Sequence, residues 1–126
     1  MIEPFNVDGT HPNVGPYSQG VLCSGTLLFV SGQIGINADG TFAGESVEDQ
    51  TRQIFLNIRS ILNAKGLDLT AIVKATVLLA DISDYASMNV IYMEEFGNHR
   101  PARAAYAVSA LPKGARIEIE VIACMD

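Results

Sequence analysis

The sequence feature that most constrains the fold is the stretch 100–123, in which two strand-like runs flank a short turn. It reads RPARAAYAVSALPKGARIEIEVIA, with a proline and a glycine in the central LPKG segment and no helical period on either side. This pattern predicts that the two runs fold back on each other as an antiparallel pair. Such a pair would bring Arg103 of the first run close to Glu118 of the second.

The second run alternates apolar and charged residues, so its period of two places Glu118 and Glu120 on one face of a strand. Two interpretations follow. In the first, Arg103 and the glutamates form a cross-strand salt bridge on a solvated face, which contributes about 0 to 1 kcal/mol. In the second, they form an anion site, where the guanidinium grips a carboxylate through two parallel hydrogen bonds and Glu118 handles a proton or a water. The pattern is consistent with both.

The composition is that of one apolar, acidic domain covering residues 1–126. Hydrophobic residues make up 48% and charged residues 17%, which predicts that some apolar surface is covered in a homo-oligomer. The net charge is −6 and the basic residues are scattered along the chain. Nucleic acid is therefore disfavoured as a partner, because phosphate binding depends on a basic patch.

Cysteine, histidine and hydropathy patterns indicate the compartment and argue against a metal. Cys23 and Cys124 lie in apolar runs and are predicted to be buried thiols in a reducing compartment. His11 and His99 lack partners at ligand spacing, so no metal site is predicted. No apolar run approaches the roughly 20 residues of a membrane span, and the first residues lack a signal-peptide pattern. We therefore expect a cytoplasmic protein.

The N-terminal part predicts an irregular arm over residues 1–19 and then a hairpin of two strands within residues 21–33. In the arm, Tyr17 either anchors the chain with its ring or lines a pocket with its hydroxyl. Ser31 and Gly32 end the second strand. They either let a ligand approach the backbone closely or mark a bulge.

Two helices are predicted, each with start and stop signals. Ser46 caps the first helix and Gly66 ends it. Its apolar stripe comprises Val47, Ile54, Ile58, Ile61 and Leu62. Ser83 or Asp84 caps the second helix, which runs to Gly97 and turns four residues inward: Met88, Ile91, Tyr92 and Phe96. Asn89 lies between these core positions and points either toward a site or into solvent.

Between the helices, residues 71–80 form an apolar run that predicts a central strand covered on both faces. The order of elements is strand, strand, helix, strand, helix, strand, strand. This order predicts an α+β fold in which two helices cover one face of a mixed sheet.

Five segments resemble the RidA or YjgF family of enamine/imine deaminases, which includes endoribonuclease L-PSP-like proteins. They are GPYSQGV, SGQIG, DQTRQIFLNIRSIL, VKATVLLADISDYASMN and PARAAYAVSALPKGARIEIEVIA. The resemblance covers nearly the whole chain. It implies a chorismate-mutase-like α+β fold, a homotrimer whose sheets form a central barrel, and clefts between neighbouring subunits. It also favours a site over a salt bridge for Arg103 and Glu118.

The same resemblance implies an activity that needs no cofactor. Such proteins hydrolyse reactive 2-imino or 2-enamino acids, such as 2-aminoacrylate and 2-iminobutanoate, to the 2-oxo acid and ammonia. Arg103 would bind the substrate carboxylate, and Glu118 would orient or activate the attacking water. The resemblance adds four substrate contacts: Tyr17 from the adjacent subunit, Asn89 from the second helix, and the backbone of Ser31 and Gly32.

The chain departs from the family pattern at Ala105, where many members have a cysteine, so only a backbone carbonyl contact is expected there. Arg100 replaces an apolar residue, and we expect it to face solvent rather than the cleft mouth. Two alternative functions remain. One is an endoribonuclease or translation inhibitor of the L-PSP type, which the acidic balance disfavours. The other is a non-catalytic trimer that binds small carboxylates.

Overall fold

A computed structural model describes residues 1–126 as a sheet with two α-helices on one of its faces. Along the chain the elements are β1 (Ile2–Phe5), β2 (Gly20–Cys23), β3 (Thr26–Ile34), α1 (Val47–Asn63), β4 (Ile72–Leu79), α2 (Tyr85–Phe96), β5 (Ala102–Ala107) and β6 (Ile117–Met125). The main sheet has the order β3-β6-β4-β5, with β4 and β5 parallel and the other neighbours antiparallel. The predicted α+β fold with a mixed sheet is confirmed.

The core lies between the sheet and the helices. In β6, Ile117, Ile119 and Ala123 are fully buried on the helix-covered face, as the period of two predicts. Most of the predicted stripe of α1 is buried against them, and Ile61 is partly buried. Phe55, which the stripe omitted, is also buried and packs edge-on against the rings of Tyr92 and Phe96 in α2.

The helix ends follow the predicted signals at three of four points. The Ser46 hydroxyl accepts a hydrogen bond from the Asp49 N–H at 3.0 Å, and Gly66, with φ of +71°, leads the chain away after α1. Gly97 ends α2. At the start of α2, Asp84 occupies the cap position but makes no capping hydrogen bond. Its two carboxylate oxygens instead accept hydrogen bonds from Nη2 of Arg116, both at 3.0 Å.

Substituting Ser46→Ala should lower the free energy of unfolding by about 1 kcal/mol, because the Asp49 N–H loses its acceptor. Urea denaturation followed by circular dichroism measures the change. Ser60→Ala is the matched control, since Ser60 is exposed in the same helix and its hydroxyl makes no hydrogen bond. An equal loss of stability in both variants would contradict the capping role.

The predicted antiparallel pair of the last two strands is wrong, because β4 lies between β5 and β6. Arg103 of β5 is opposite Ala75 of β4, and Glu118 of β6 is opposite Leu78 of the same strand. The physical reason is the apolar character of β4, which favours the position with hydrogen-bonded neighbours on both sides. The alanine-rich β5 is left at the edge of the sheet.

The predicted hairpin of the second and third strands is also wrong. β2 pairs with β1 in a separate two-stranded sheet, so Ile2–Phe5 is a strand and only the rest of the arm is irregular. Gly25 separates the two sheets with φ of +130°, and its backbone lies against the end of β6 at Met125. This glycine turns the chain from one sheet into the next instead of closing a hairpin.

One face of the main sheet is not covered by any element of the chain. β4 is buried only on its helix-covered side, so the prediction that it is covered on both faces does not hold within one chain. Phe29 is 69% exposed and Tyr106 is 49% exposed on the uncovered side. We call this side the open face; its members are Phe29, Lys74, Thr76, Leu78, Tyr106, Glu118, Glu120 and Ile122.

The cysteines and histidines occupy structural positions. Cys124 is 3% exposed and its Sγ lies 3.2 Å from the carbonyl oxygen of Ser24, whereas Cys23 is half-buried; both are free thiols. His99 Nε2 lies 2.7 Å from the Ile72 carbonyl oxygen, and His11 is exposed. The helices of this chain are too short or too polar to span a bilayer.

Candidate active site

Arg103 lies on the edge strand β5 with its side chain on the helix-covered face, where its guanidinium reaches α2. Nη1 donates to Oδ1 of Asn89 at 2.6 Å, and Nη2 donates to the Tyr85 hydroxyl oxygen at 2.8 Å. Arginine has five N–H groups and no acceptor. Nη1 also lies 4.0 Å from Sδ of Met88, a weak acceptor. Oxygen acceptors therefore occupy only two of the five groups, and N–H groups remain for a ligand.

Three tyrosine rings surround the guanidinium. The ring centroids of Tyr17, Tyr85 and Tyr92 lie 5.4, 5.5 and 4.9 Å from the Arg103 Cζ atom. Each such contact is worth about 0.5 to 2 kcal/mol, depending on how far it is desolvated. The rings and the two hydrogen bonds together hold the positive charge in one position at the surface of α2.

The Tyr92 hydroxyl is fully buried and has no hydrogen-bond partner. Its burial raises the pKa of Tyr92 well above the ordinary value, although the nearby positive charge of Arg103 acts in the opposite direction. Tyr92 therefore stays protonated and contributes its ring rather than a titrating group.

The N-terminal arm closes over the guanidinium. Ser18 fixes the arm to the start of β5, since its N–H donates to the Pro101 carbonyl oxygen at 3.2 Å and its hydroxyl to the Arg100 carbonyl oxygen at 2.5 Å. A Cβ atom added to Gly15 would lie 2.5 Å from Nη2 of Arg103. Only a glycine allows the backbone to approach the guanidinium this closely.

Glu118 lies on the open face of β6 and is half-buried. A bulge in β3 lies beside it, because the register shifts between Val30 and Gln33 and leaves Ser31 and Gly32 opposite a single residue of β6. A Cβ atom on Gly32 would lie 2.8 Å from the Glu118 Cδ atom. Of the two interpretations of Ser31 and Gly32, the bulge is confirmed, and the group that approaches the glycine in this chain is the Glu118 carboxylate.

Arg103 and Glu118 project from opposite faces of the sheet. Arg103 shares the side of the buried Ala75, whereas Glu118 shares the side of Leu78 and Tyr106. This placement on opposite faces prevents the cross-strand salt bridge that was one interpretation of the sequence. None of the ion pairs in the structure includes Arg103. Its guanidinium thus has hydrogen-bond acceptors but no carboxylate partner within the chain.

Three other residues singled out in the sequence have definite positions. Tyr17 contacts Arg103 of its own chain, with its ring centroid 5.4 Å from the Cζ atom. Ala105 packs its side chain against the core, and its backbone pairs with Val77 in β4. Nη1 of Arg100 donates to the carbonyl oxygens of Gly97 and, at 3.1 Å, of His99, so this side chain folds back over its own loop.

The sequence reasoning missed Tyr85 and the close approach of Gly15. A signal for Tyr85 was available, because Tyr85, Asn89 and Tyr92 are spaced at i, i+4 and i+7 and therefore share one helix face. An asparagine flanked on that face by two tyrosines indicates a polar, aromatic surface rather than a purely apolar one. The approach of Gly15 depends on the path of an irregular arm, which has no period to read.

The fold is that of a class of small α+β proteins with solved structures. The crystal structure of RidA from an Antarctic Psychrobacter bacterium covers 98% of this chain and 99% of its own, with a TM-score of 0.77 and 36% sequence identity. The chain belongs to the Endoribonuclease L-PSP family, whose model matches residues 9–125. The resemblance to RidA proteins inferred from the sequence is confirmed.

Two curated relatives extend this comparison. The Homo sapiens protein named 2-iminobutanoate/2-iminopropanoate deaminase is 50% identical over 111 residues, covering 87% of this chain and 80% of its own. A RutC family protein of Pyrococcus horikoshii is 48% identical over 124 residues, covering 98% of each chain.

Proposed function

We propose that this protein is a deaminase that hydrolyses 2-imino acids, such as 2-iminobutanoate and 2-iminopropanoate, to 2-oxo acids and ammonia. The observation that carries the proposal is the state of Arg103. Its guanidinium is held by Asn89 and Tyr85, has no carboxylate partner, and keeps N–H groups free for an anion. Relatives that are 50% identical carry the name of this activity.

The Arg103 guanidinium binds the substrate carboxylate through two parallel N–H···O bonds. Because the aromatic rings and the Asn89 and Tyr85 oxygens restrict the guanidinium, the bound carboxylate has one orientation. Carbon C2, which bears the imine, is bonded directly to that carboxylate. Its position is therefore restricted as well, and the attack of water becomes a positioned step.

Glu118 supplies the proton transfers. The protonated imine is electrophilic at C2, and the Glu118 carboxylate removes a proton from a water as its oxygen bonds to C2. The resulting carbinolamine receives that proton on nitrogen. The C–N bond then breaks, the hydroxyl group loses its proton as the 2-oxo acid forms, and ammonia leaves and takes up this proton as ammonium. Glu118 ends as the carboxylate, and the reaction consumes one water.

A second copy of the chain is needed to complete this site, because Arg103 and Glu118 lie on opposite faces of the sheet. We infer a homotrimer in which the open face of each subunit packs against its neighbours. The exposure of Phe29 and Tyr106, at 69% and 49%, supports the inference, since large apolar side chains on an uncovered sheet face favour burial in an interface.

The test of the function is direct hydrolysis of an imine made in place. A threonine or serine dehydratase releases 2-iminobutanoate or 2-aminoacrylate, the enamine form of 2-iminopropanoate, and stopped-flow absorbance follows its loss. The wild-type protein should speed this loss in proportion to its concentration and with saturation. A folded protein that leaves the spontaneous rate unchanged with both substrates would overturn the proposal.

A further inference from the structure

The Tyr85 hydroxyl differs from the other two tyrosine hydroxyls around Arg103, because it alone bonds to the guanidinium. It accepts from Nη2 at 2.8 Å. The Tyr17 hydroxyl oxygen accepts instead from the Val14 N–H at 3.3 Å, and that of Tyr92 is buried without a partner. Since arginine only donates, Tyr85 uses a lone pair in this bond and its own hydroxyl hydrogen is uncommitted.

No group of the chain accepts that hydrogen: the bond from Arg103 is the only hydrogen bond made by the Tyr85 hydroxyl. The ring is half-buried, and the backbone of Gly15 passes beside the hydroxyl. A Cβ atom on Gly15 would lie 3.0 Å from this oxygen and 2.5 Å from Nη2 of Arg103. The hydroxyl and Nη2 therefore lie side by side against the Gly15 backbone, 2.8 Å apart. A ligand oxygen that bridges the two would accept a hydrogen bond from each.

We propose that Tyr85 is a specificity-determining residue, whose hydroxyl donates to a carboxylate oxygen of the ligand that Arg103 binds. The inference rests on the proposed function, because it takes the ligand to be a 2-imino or 2-oxo acid. The carboxylate then receives three donors, two from the guanidinium and one from Tyr85. Two acceptor oxygens satisfy these donors, whereas the carboxamide of the same acid offers one oxygen and leaves a donor unpaired.

The tyrosine also has a positioning effect on the guanidinium. Its oxygen holds Nη2 on the side of Gly15, while Asn89 holds Nη1, so the two acceptors fix the rotation of the guanidinium plane. Phenylalanine at position 85 would keep the ring beside the Arg103 Cζ atom but lose both the acceptor for Nη2 and the donor to the ligand. Tyr85→Phe thus separates the effect of the hydroxyl from the effect of the ring.

The experiment compares pyruvate with pyruvamide, its uncharged amide, by titration calorimetry on wild type and Tyr85→Phe. We expect the Kd for pyruvate to rise roughly tenfold to a hundredfold in the variant, the effect of one hydrogen bond to a charged group. The preference for pyruvate over pyruvamide should fall with it. Ser87→Ala is the control, since it removes an exposed hydroxyl of the same helix. This hydroxyl bonds to neither Arg103 nor Tyr85, so the Kd values for pyruvate and pyruvamide should stay unchanged.

Kinetics provide an independent measurement. With 2-iminobutanoate, Tyr85→Phe should raise KM by the same factor as the Kd and change kcat by less than about twofold, because the contact acts on ground state and transition state alike. An unchanged KM and Kd in Tyr85→Phe would overturn the proposal. So would an unchanged preference for pyruvate over pyruvamide.

The two proposals fail in different ways. A wild type that binds pyruvate but does not hydrolyse imines would remove the deaminase function and leave the role of Tyr85 to be decided by the Kd ratio. If the wild type hydrolyses imines and Tyr85→Phe has the same KM, the deaminase function stands and the proposed role of Tyr85 is overturned. No binding of pyruvate and no hydrolysis by folded wild type would overturn both.

Discussion

Arg103→Ala is expected to lower kcat/KM for 2-iminobutanoate at least tenfold and up to about a hundredfold, the loss of roughly 1.5 to 3 kcal/mol from a charge-assisted contact. The substrate carboxylate would then lose its guanidinium partner. The fold should remain, because the Asn89 and Tyr85 oxygens left without a donor are only half-buried and can bond to water.

Arg103→Lys separates charge from geometry. Lysine keeps the positive charge but offers no planar fork, so it cannot contact both carboxylate oxygens and both protein acceptors at once. We expect its kcat/KM to lie much nearer to Arg103→Ala than to wild type. Steady-state rates, together with circular dichroism and Tm for each variant, provide the measurement. Wild-type rates in a folded Arg103→Ala protein would rule out the carboxylate contact.

Glu118→Gln is expected to lower kcat by about 10²- to 10⁴-fold with little change in KM, because the amide cannot take the proton of the water. The substitution preserves the shape of the side chain. Shape matters here because Glu118 packs so closely against Gly32 that a Cβ atom added to the glycine would lie 2.8 Å from the Glu118 Cδ atom. Glu118→Asp would test the distance between the carboxylate and the water instead, since aspartate keeps the carboxylate but its side chain is shorter by one methylene.

A mixture of Arg103→Ala and Glu118→Gln subunits offers a sharper test of the intersubunit site. If each site takes Arg103 from one copy and Glu118 from its neighbour, random trimers from an equal mixture regain an intact pair in about a quarter of their sites. Co-refolding the two inactive variants should therefore restore about a quarter of wild-type activity. Each variant refolded alone is the control, and a mixture that stays inactive despite forming mixed trimers would place both groups in one chain.

The sequence was sufficient for both helices and for five of the six strands, all but β1, and insufficient for the pairing of the strands. Ser46 and Gly66 mark the ends of α1 through local chemistry, so these positions could be predicted from residue types alone. The neighbours of a strand depend on contacts far apart in the chain. Nothing in residues 100–123 specifies that β4 inserts between the two strands they form, although the apolar run of β4 was itself evident.

The same limit applies to the site. The residue types of Arg103 and Glu118 and their spacing were consistent with an anion-binding site, and the resemblance predicted the family. Their faces could not be assigned, because the relative side of two residues follows from the register of each strand with β4. Tyr85 could be predicted from its helical spacing to Asn89, because residues four apart share one helix face.

The glycines at positions 15 and 32 have ordinary backbone conformations, since neither has a positive φ. What each excludes is a single methyl group, which at Gly15 would meet the end of the Arg103 side chain and at Gly32 the end of the Glu118 side chain. Both ends belong to flexible side chains, so a methyl group would displace them, at Gly15 with the loss of the bonds from Arg103 to Asn89 and Tyr85. One nucleotide change to alanine would therefore yield a chain that still folds while its guanidinium or carboxylate is displaced, so a lineage with this fold can lose or redirect its chemistry in one step without passing through an unfolded ancestor.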